Sequence, residues 1–194
     1  MTEAYSLPER PEGIPTPVDD GACDHLPGMR LPPIALPSTS GGSVDLSALP
    51  GKTVVDSYPR TGNPRTGRPD DDLPPGLDEI PGSRGGTPQS CAFRDHHAEP
   101  RALGARVFDL NTQDTGYQQE AAKRLRLPFG LLSDESLTFT KAQYSPTFEV
   151  EGMTLIKRLT LVIGDGRIER VLYPVLPPGE DATEILEWLS GTAV

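Results

Sequence analysis

The chain is poor in cysteine, in apolar residues and in positive charge, and each shortage excludes a class of protein. Its two cysteines, Cys23 and Cys91, cannot build the disulfide framework of a small secreted domain. Hydrophobic residues make up only 35%, and no apolar run approaches the roughly 18 residues that a transmembrane helix needs. The net charge of −10 disfavours nucleic acid and anionic membranes as partners, because both would repel the chain.

Proline and glycine are abundant, with 22 and 20 residues, and they are concentrated in the first half. Residues 1–26 are Pro-rich, acidic and aperiodic, which predicts a flexible N-terminal arm. Residues 27–190 are predicted to form one domain, interrupted by a long Gly/Pro loop at residues 60–86. Since Met1 to Pro17 has neither a basic start nor an apolar core, we expect no secretory signal and a cytoplasmic location.

The remaining sequence alternates between strand-like and helix-like patterns, which predicts an α/β fold with a mixed central sheet flanked by helices. Gly164-Asp165-Gly166 is a strong turn signal and predicts a hairpin. Pro100 is expected to kink or end the helix that contains it. The predicted elements are an extended segment at 31–37, a helical turn at 43–49, strands at 52–59, 106–110, 129–132, 155–163 and 167–173, and helices at 88–103, 117–126, 136–142 and 180–190.

The most informative segment runs from Pro81 to Asp95, where a Gly/Pro turn leads into a helix that carries Cys91 about one turn in. Unpaired N–H groups and the helix dipole favour negative charge at such a start, including a thiolate. The segment therefore predicts either a redox site or an anion site at the beginning of the helix.

Four stretches, taken together, resemble the peroxiredoxins of the thiol-specific antioxidant and alkyl hydroperoxide reductase family, nearest the bacterioferritin-comigratory branch. The resemblance covers about residues 28–189 and implies a thioredoxin fold with an N-terminal hairpin extension. The stretches are Lys52–Pro59, which ends in Tyr58-Pro59, then Gly86–Asp95, Leu131–Glu135 and Arg158–Glu169.

The resemblance also implies site residues. In that family a thiolate at the helix start attacks the peroxide O–O bond, and a second cysteine condenses with the resulting sulfenic acid. Gly86 stands at the position of the attacking cysteine, Cys91 at that of the second, and Arg158 at that of an assisting arginine, while Ser83 matches a helpful hydroxyl. Because Gly86 has no side chain, we expect the normal peroxidase step to be lost.

Both cysteines have a simpler interpretation. Cys91 is either a surviving redox thiol or a small buried hydrophobic residue, since it lies beyond the first helical turn. Cys23 either pairs with Cys91 or is inert, because the neighbouring Asp19, Asp20 and Asp24 should raise its pKa.

The other candidate residues also keep two interpretations. Arg158 either binds an anion or forms an ion pair at a strand end, and Arg84 is either a second anion ligand or a solvated loop residue. Thr87 is the nearest hydroxyl and a candidate helix cap. Gly86 is expected to widen the pocket enough for an anion. Asp56 is either a base in a cleft or a solvated residue of an edge strand.

Adjacent histidines do not make a metal site, because His96 and His97 point to different sides of a helix. We therefore predict no metal and no cofactor.

Three functions remain open on the sequence alone. The first is a degenerate peroxiredoxin that acts as a binding or regulatory module, for example through a homodimer. The second is an enzyme that reuses the pocket on a small anionic substrate, for example in secondary metabolism, with Arg158 holding the anion and Asp56, Thr87 or a histidine moving a proton. The third is a one-cysteine peroxidase in which Cys91 reduces a hydroperoxide and a thiol reductant such as thioredoxin regenerates it.

Overall fold

The structure, a computed structural model, describes residues 15–63 and 73–192. Within these residues the strands are β1 (Ala35–Pro37), β2 (Ser43–Asp45), β3 (Lys52–Ser57), β4 (Ala105–Asn111), β5 (Gly130–Ser133), β6 (Thr147–Val150), β7 (Met153–Ile156), β8 (Leu159–Gly164) and β9 (Arg167–Leu172). The α-helices are α1 (Gly86–Asp95), α2 (Ala98–Ala102), α3 (Thr115–Leu125), α4 (Thr138–Gln143) and α5 (Glu180–Thr192). Short 3-10 turns lie at Leu46–Ala48 and Leu77–Glu79.

A five-stranded mixed sheet in the order β5-β4-β3-β8-β9 organises the fold, as the sequence predicts. Strands β3, β4 and β5 are parallel, and β8 runs antiparallel to both β3 and β9. The central strand β3 is buried along nearly its whole length, because both faces of the sheet are covered. Its register places Asp56 directly opposite Asp109 of β4 and Thr160 of β8, so these three side chains share one face.

Two apolar clusters fill the space on either side of the sheet. Val55 of β3 belongs to one cluster, with Phe139 of α4. Val54, which points the opposite way, belongs to the other, with Phe93 of α1 and Ile185 of α5. Each such side chain contributes roughly 1.5–3 kcal/mol when buried. The face that carries Asp56 is therefore the one that α1 and α5 cover.

Three predicted elements differ from the structure, and the first two involve strands. The single strand predicted over 155–163 is wrong, because the chain leaves β7 at Ile156, pairs that strand with β6, and enters the main sheet only at Leu159. The helical turn predicted at 43–49 begins instead as strand β2, which pairs with β1.

The helix predicted over 88–103 is divided into α1 and α2, and Pro100 supplies the reason. In a continuous helix its missing N–H would be needed by the His96 carbonyl, and its ring would clash there. The His96 carbonyl instead accepts from the Glu99 N–H at 3.1 Å. Pro100 is the third residue of α2, a position whose N–H needs no helical partner. The expected helix end thus occurs one turn before the proline.

Residues 15–26, the described part of the predicted arm, pack against the domain. Cys23 and Leu26 are buried, and the Asp20 carboxylate accepts hydrogen bonds from the Lys157 ammonium and the Tyr173 hydroxyl, each at 2.8 Å. Residues 1–14, and residues 64–72 of the predicted loop, lie outside the described residues, so the domain boundary stays a prediction. Within the described ranges, no helix combines the length and the apolar character that crossing a membrane requires.

Candidate functional site

The start of α1 is built on Gly85, which caps the helix in a left-handed conformation with φ of 110°. An L side chain rarely adopts that conformation, and a Cβ atom at Gly85 would also overlap the Pro178 ring. Gln89 donates its N–H to the Gly85 carbonyl at 3.1 Å, and Pro88 has no N–H. At most three backbone donors, from Gly85, Gly86 and Thr87, therefore remain at this helix start.

The space in front of Gly86 is occupied by the protein itself. A Cβ atom at this residue would lie 2.5 Å from the Arg60 carbonyl oxygen and 2.8 Å from Cδ2 of Tyr58. Both groups are fixed, because the first is backbone and the second is a buried ring. The expectation that Gly86 widens the pocket is therefore wrong.

Arg158 lies between β7 and β8 with its guanidinium buried beside this helix start. Its donors go to the loop that precedes α1 and to the Gln89 amide oxygen, as hydrogen bonds to the carbonyls of Gly82 (3.4 Å), Arg84 (2.7 Å) and Gly85 (3.2 Å) and to Gln89 Oε1. No carboxylate of the described residues is within ion-pair distance of it. Burial lowers the pKa of Arg158 to about 10, although nearby Asp56 and Asp181 oppose that shift. Arg158 is thus a clamp on the loop, and most of its donors are already used.

The other predicted ligands of an anion are also engaged elsewhere. Arg84 forms an ion pair with Asp78 through Nε and Nη2, the latter at 2.9 Å from Oδ2. The Ser83 hydroxyl donates to the Leu77 carbonyl. Thr87 is partly exposed in the first turn, but the helix is capped by Gly85 without a side-chain hydrogen bond. The structure therefore brings Gly86, Thr87 and Arg158 to one helix start without arranging them around an open anion pocket.

Behind α1 lies a group of three buried acidic residues, Asp56 of β3, Asp109 of β4 and Asp181 of α5, which we call the carboxyl cluster. The edge-strand interpretation of Asp56 is wrong, because β3 is the middle strand of the sheet. Asp109 and Asp181 were not predicted from the sequence. The signal that could have found Asp109 is its place between Phe108 and Leu110 in a predicted strand, where a buried acidic residue is rare.

Hydrogen bonds join the cluster to α1. Gln89 Nε2 donates to Asp56 Oδ1 and, at 2.7 Å, to Asp181 Oδ2. The Ser90 hydroxyl donates to Asp109 Oδ2 at 2.6 Å, and the Tyr58 hydroxyl donates to the same oxygen at 3.0 Å. Tyr58 therefore contacts both parts of the site: its hydroxyl bonds to Asp109 and its ring lies against Gly86.

Burial raises the pKa of all three carboxyls. Desolvation is the largest cause in each case, and for Asp56 the negative charges of Asp181 and Asp109 add to it. The pKa of Asp109 is raised to about 7, against the opposing hydrogen bonds from Ser90 and Tyr58. The cluster consequently holds protons at pH values where an exposed aspartate is ionised.

Both cysteines are free and buried. Desolvation raises the pKa of Cys23 to about 12, with Asp20 and Asp19 adding to the shift. Desolvation also raises the pKa of Cys91, and the positive charge of Arg94 opposes it only in part. At neutral pH both sulfurs are therefore thiols, which are poor nucleophiles.

His96 and His97 do not converge. His96 Nδ1 lies 3.2 Å from Glu99 Oε1, whereas the His97 ring packs on Phe129. Across the described ranges, no group of three or more His, Cys, Asp or Glu side chains is arranged to hold a metal ion.

A cleft of about 160 Å³ adjoins Arg158 from the side of the N-terminal segment. Its lining is mainly apolar and includes Pro17, Ile80, Phe148 and Val175.

Comparison with known proteins identifies the family. The Redoxin family model matches residues 26–186. Chloroplastic peroxiredoxin Q of Populus jackii is 32% identical over 147 residues, which are 75% of this chain and 59% of that protein. Chloroplastic peroxiredoxin Q of Triticum aestivum is 33% identical over 153 residues, 78% of this chain and 60% of that protein. The chain thus spans about three fifths of the length of these two relatives.

Solved structures agree on the fold. Peroxidoxin BcpB of Mycobacterium tuberculosis superposes with a TM-score of 0.67 at 24% identity, and the superposition covers 86% of this chain and 98% of the BcpB chain. A mutant peroxiredoxin Q of Xylella fastidiosa gives a TM-score of 0.68 at 19% identity, with 88% and 99% covered. The mixed sheet described above is therefore a thioredoxin fold of the peroxiredoxin type. From the family match and the relatives together, this chain belongs to the redoxin family, as a peroxiredoxin of the Q or bacterioferritin-comigratory type.

Proposed function

We propose that this chain keeps the peroxiredoxin fold without the thiol peroxidase step, and that it acts as a non-catalytic binding or regulatory protein. The observation that carries this proposal is the packing at Gly86. The Arg60 carbonyl and the Tyr58 ring occupy the space into which a side chain at the start of α1 would project.

The chemistry of the family explains why this packing matters. Reduction of a hydroperoxide by thiols begins when an ionised sulfur attacks one oxygen of the O–O bond, which gives a sulfenic acid and releases an alcohol or water. A second thiol then condenses with the sulfenic acid and releases water. By its place in the motif Gly86 stands where the first sulfur belongs, so the sequence offers no atom to start the reaction there.

The remaining cysteines are poor substitutes. Cys91 lies more than one turn into α1, is 5% exposed, and has a raised pKa because of desolvation. Cys23 is 6% exposed, and desolvation raises its pKa to about 12. These properties argue against the alternative in which Cys91 acts as a one-cysteine peroxidase.

The non-redox alternative is also disfavoured. An enzyme acting on a small anion would need open donors at Arg158, yet that guanidinium is buried and bonded to loop carbonyls and Gln89. Asp56, its predicted base, is fully buried behind α1. We therefore favour binding over catalysis.

Partners and location belong to the same proposal. The family acts on hydroperoxides and is recycled by thiol reductants, and for this chain we propose contact with such partners without turnover. A homodimer and a cytoplasmic location are further parts of the proposal. The chloroplast location in the names of the plant relatives describes those proteins, and we do not transfer it to this chain. Light scattering on a size-exclusion column tests the dimer.

Peroxide consumption tests the function. Hydrogen peroxide and an alkyl hydroperoxide are followed with dithiothreitol or a thioredoxin system as reductant, for the natural chain, Cys91→Ser and Gly86→Cys. We expect the natural chain and Cys91→Ser to match the protein-free rate. We expect Gly86→Cys to restore little, because its Cβ meets the Arg60 carbonyl.

Two results would count against the proposal. Consumption by the natural chain that disappears in Cys91→Ser would establish Cys91 as a peroxidatic thiol. Fast turnover by a stable Gly86→Cys protein would show that the helix start readily accommodates a cysteine, and the packing argument would then fail.

A further inference from the structure

The carboxyl cluster connects three parts of the fold at one point. Asp56 and Asp109 come from neighbouring strands, and Asp181 comes from the first turn of α5. Two side chains of α1, Gln89 and Ser90, donate hydrogen bonds into it. The cluster is thus a buried polar contact of both helices with the sheet, beside the apolar side chains that fill the rest of this interface.

The hydrogen-bond donors around the cluster are too few for three carboxylates. Thr160 adds one, to Asp181 Oδ2 at 2.7 Å, and it lies 3.4 Å from Asp56 Oδ1. One oxygen of each carboxyl has no hydrogen-bond partner among the described residues, namely Asp56 Oδ2, Asp109 Oδ1 and Asp181 Oδ1. A buried carboxylate oxygen without a donor is costly, whereas a protonated carboxyl can itself donate.

The balance of buried charge around the cluster also favours protonated carboxyls. The titratable groups that face the cluster are Arg158, the Tyr58 hydroxyl, the Cys91 thiol on the Asp109 side and the three carboxyls themselves. Arg158 is the single cation among them, and it reaches Asp56 and Asp181 only through Gln89, which accepts from Arg158 and donates to both. Three ionised carboxylates beside one guanidinium would bury a formal charge of −2, which the surroundings do not compensate.

We propose that the carboxyl cluster is a proton-operated latch, which fastens α1 and α5 to the sheet while its carboxyls are protonated and loosens both helices when they ionise. In the protonated form the O–H of one carboxyl can donate a hydrogen bond to a carboxyl oxygen of a neighbour that otherwise has no donor. In the ionised form Asp56 and Asp181 compete for the Gln89 amide and the Thr160 hydroxyl and repel each other, and the Ala182 N–H serves Asp181 alone. Because the Gln89 amide oxygen also accepts from Arg158, release of Gln89 removes one of the hydrogen bonds of that guanidinium.

The sign of the pH dependence follows from linkage. Each carboxyl has a higher pKa in the folded protein than in the unfolded chain, so the stabilisation it contributes is complete below about pH 4 and is lost as the pH rises to the folded pKa. Each proton kept by the fold changes the folding equilibrium constant by up to tenfold per pH unit. For Asp109 the loss is largely complete near pH 7. The pKa of Asp56 is also raised well above its ordinary value, chiefly by desolvation, so its contribution is lost in the same direction.

Urea unfolding of the full chain at pH 5, 6, 7 and 8 tests the latch. We compare the natural chain with Asp109→Asn and Asp181→Asn, which keep the side-chain shape without the charge. Asp20→Asn is the control, because its hydrogen bonds with Lys157 and Tyr173 lower the pKa of Asp20 to about 2, below the tested range. His97, whose pKa is lowered by desolvation, contributes an opposite slope that is common to all variants and cancels in the comparison.

We expect the folding equilibrium constant of the natural chain to fall with pH relative to Asp109→Asn, by up to tenfold per pH unit between pH 5 and 7. Asp20→Asn should keep the natural slope. Hydrogen exchange of α1 and α5 amides, corrected for the intrinsic pH dependence of exchange, should accelerate over the same range in the natural chain and less in Asp109→Asn.

Three results would overturn the proposal. The first is an equal pH slope in the natural chain and both Asn variants. The second is a changed slope without faster local exchange in α1 and α5, which would mean that the cluster titrates only with global unfolding. The third needs no variant: side-chain carboxyl ¹³C resonances of the natural protein that are all those of ionised aspartate at pH 5.

Discussion

The packing at Gly86 yields a prediction that can be worked out in advance. In Gly86→Ala the new Cβ lies 2.5 Å from the Arg60 carbonyl oxygen, whereas carbon and carbonyl oxygen normally approach to about 3.3 Å. The backbone at Arg60 or the Tyr58 ring must move by several tenths of an ångström. Overpacking of this kind costs about 1–3 kcal/mol, and the better helix propensity of alanine returns at most about 1 kcal/mol.

Taking the middle of the overpacking range, about 2 kcal/mol, and a return of up to about 1 kcal/mol, we expect the free energy of unfolding of Gly86→Ala to fall by about 1–2 kcal/mol, which for a chain of this size lowers Tm by about 2–8 °C. Urea unfolding and calorimetry measure both quantities. The matched control is Gly191→Ala in α5, where a Cβ meets no atom within 4 Å, and its stability should change by less than about 0.5 kcal/mol. If Gly86→Ala is as stable as the natural chain, the space at the helix start is open and the reasoning is refuted.

Three further changes test other parts of the site. Gly85→Ala should lower the free energy of unfolding by about 1–3 kcal/mol in urea, because φ is 110° and the Pro178 ring blocks a Cβ; unchanged stability would contradict the cap geometry. Arg158→Met should cost about 3–5 kcal/mol in the same assay, since buried carbonyls lose their donor. A loss below about 1 kcal/mol would mean that Arg158 is not the clamp described above. With an aromatic disulfide reagent at pH 8, Cys23 and Cys91 should react far more slowly in the native chain than after denaturation, because about one Cys23 in 10⁴ is a thiolate when its pKa is about 12. One native thiol that reacts like free cysteine would refute this.

The fold was predictable because its signals are local and agree with one another. The strand at Lys52–Ser57, the hairpin about Asp165 and the amphipathic helix α3 each follow from periodicity and turn residues within a short window. The error at Leu155–Ile163 has the opposite cause. Both β7 and β8 are apolar, and only the tertiary pairing of β7 with β6 separates them.

The site was predictable in its position and not in its contents. The motif places Gly86 and Arg158 at one helix start, as the resemblance implies. Arg158 donates its hydrogen bonds to loop carbonyls because of the path that residues 82–85 take through the structure. No residue pattern in the sequence predicts that path. The carboxyl cluster was not predicted either, because it also depends on tertiary structure. Asp56, Asp109 and Asp181 are 53 or more residues apart in sequence, and each alone has an ordinary solvated interpretation.

The most direct test of the account is the intact mass of the native protein after brief exposure to a few equivalents of hydrogen peroxide without reductant. We predict an unchanged mass, with both Cys23 and Cys91 recovered as free thiols, because neither is ionised or exposed. Rapid appearance of a sulfenic acid, a sulfinic acid or a disulfide on the folded chain would contradict the claim that no sulfur of this peroxiredoxin can start the reaction.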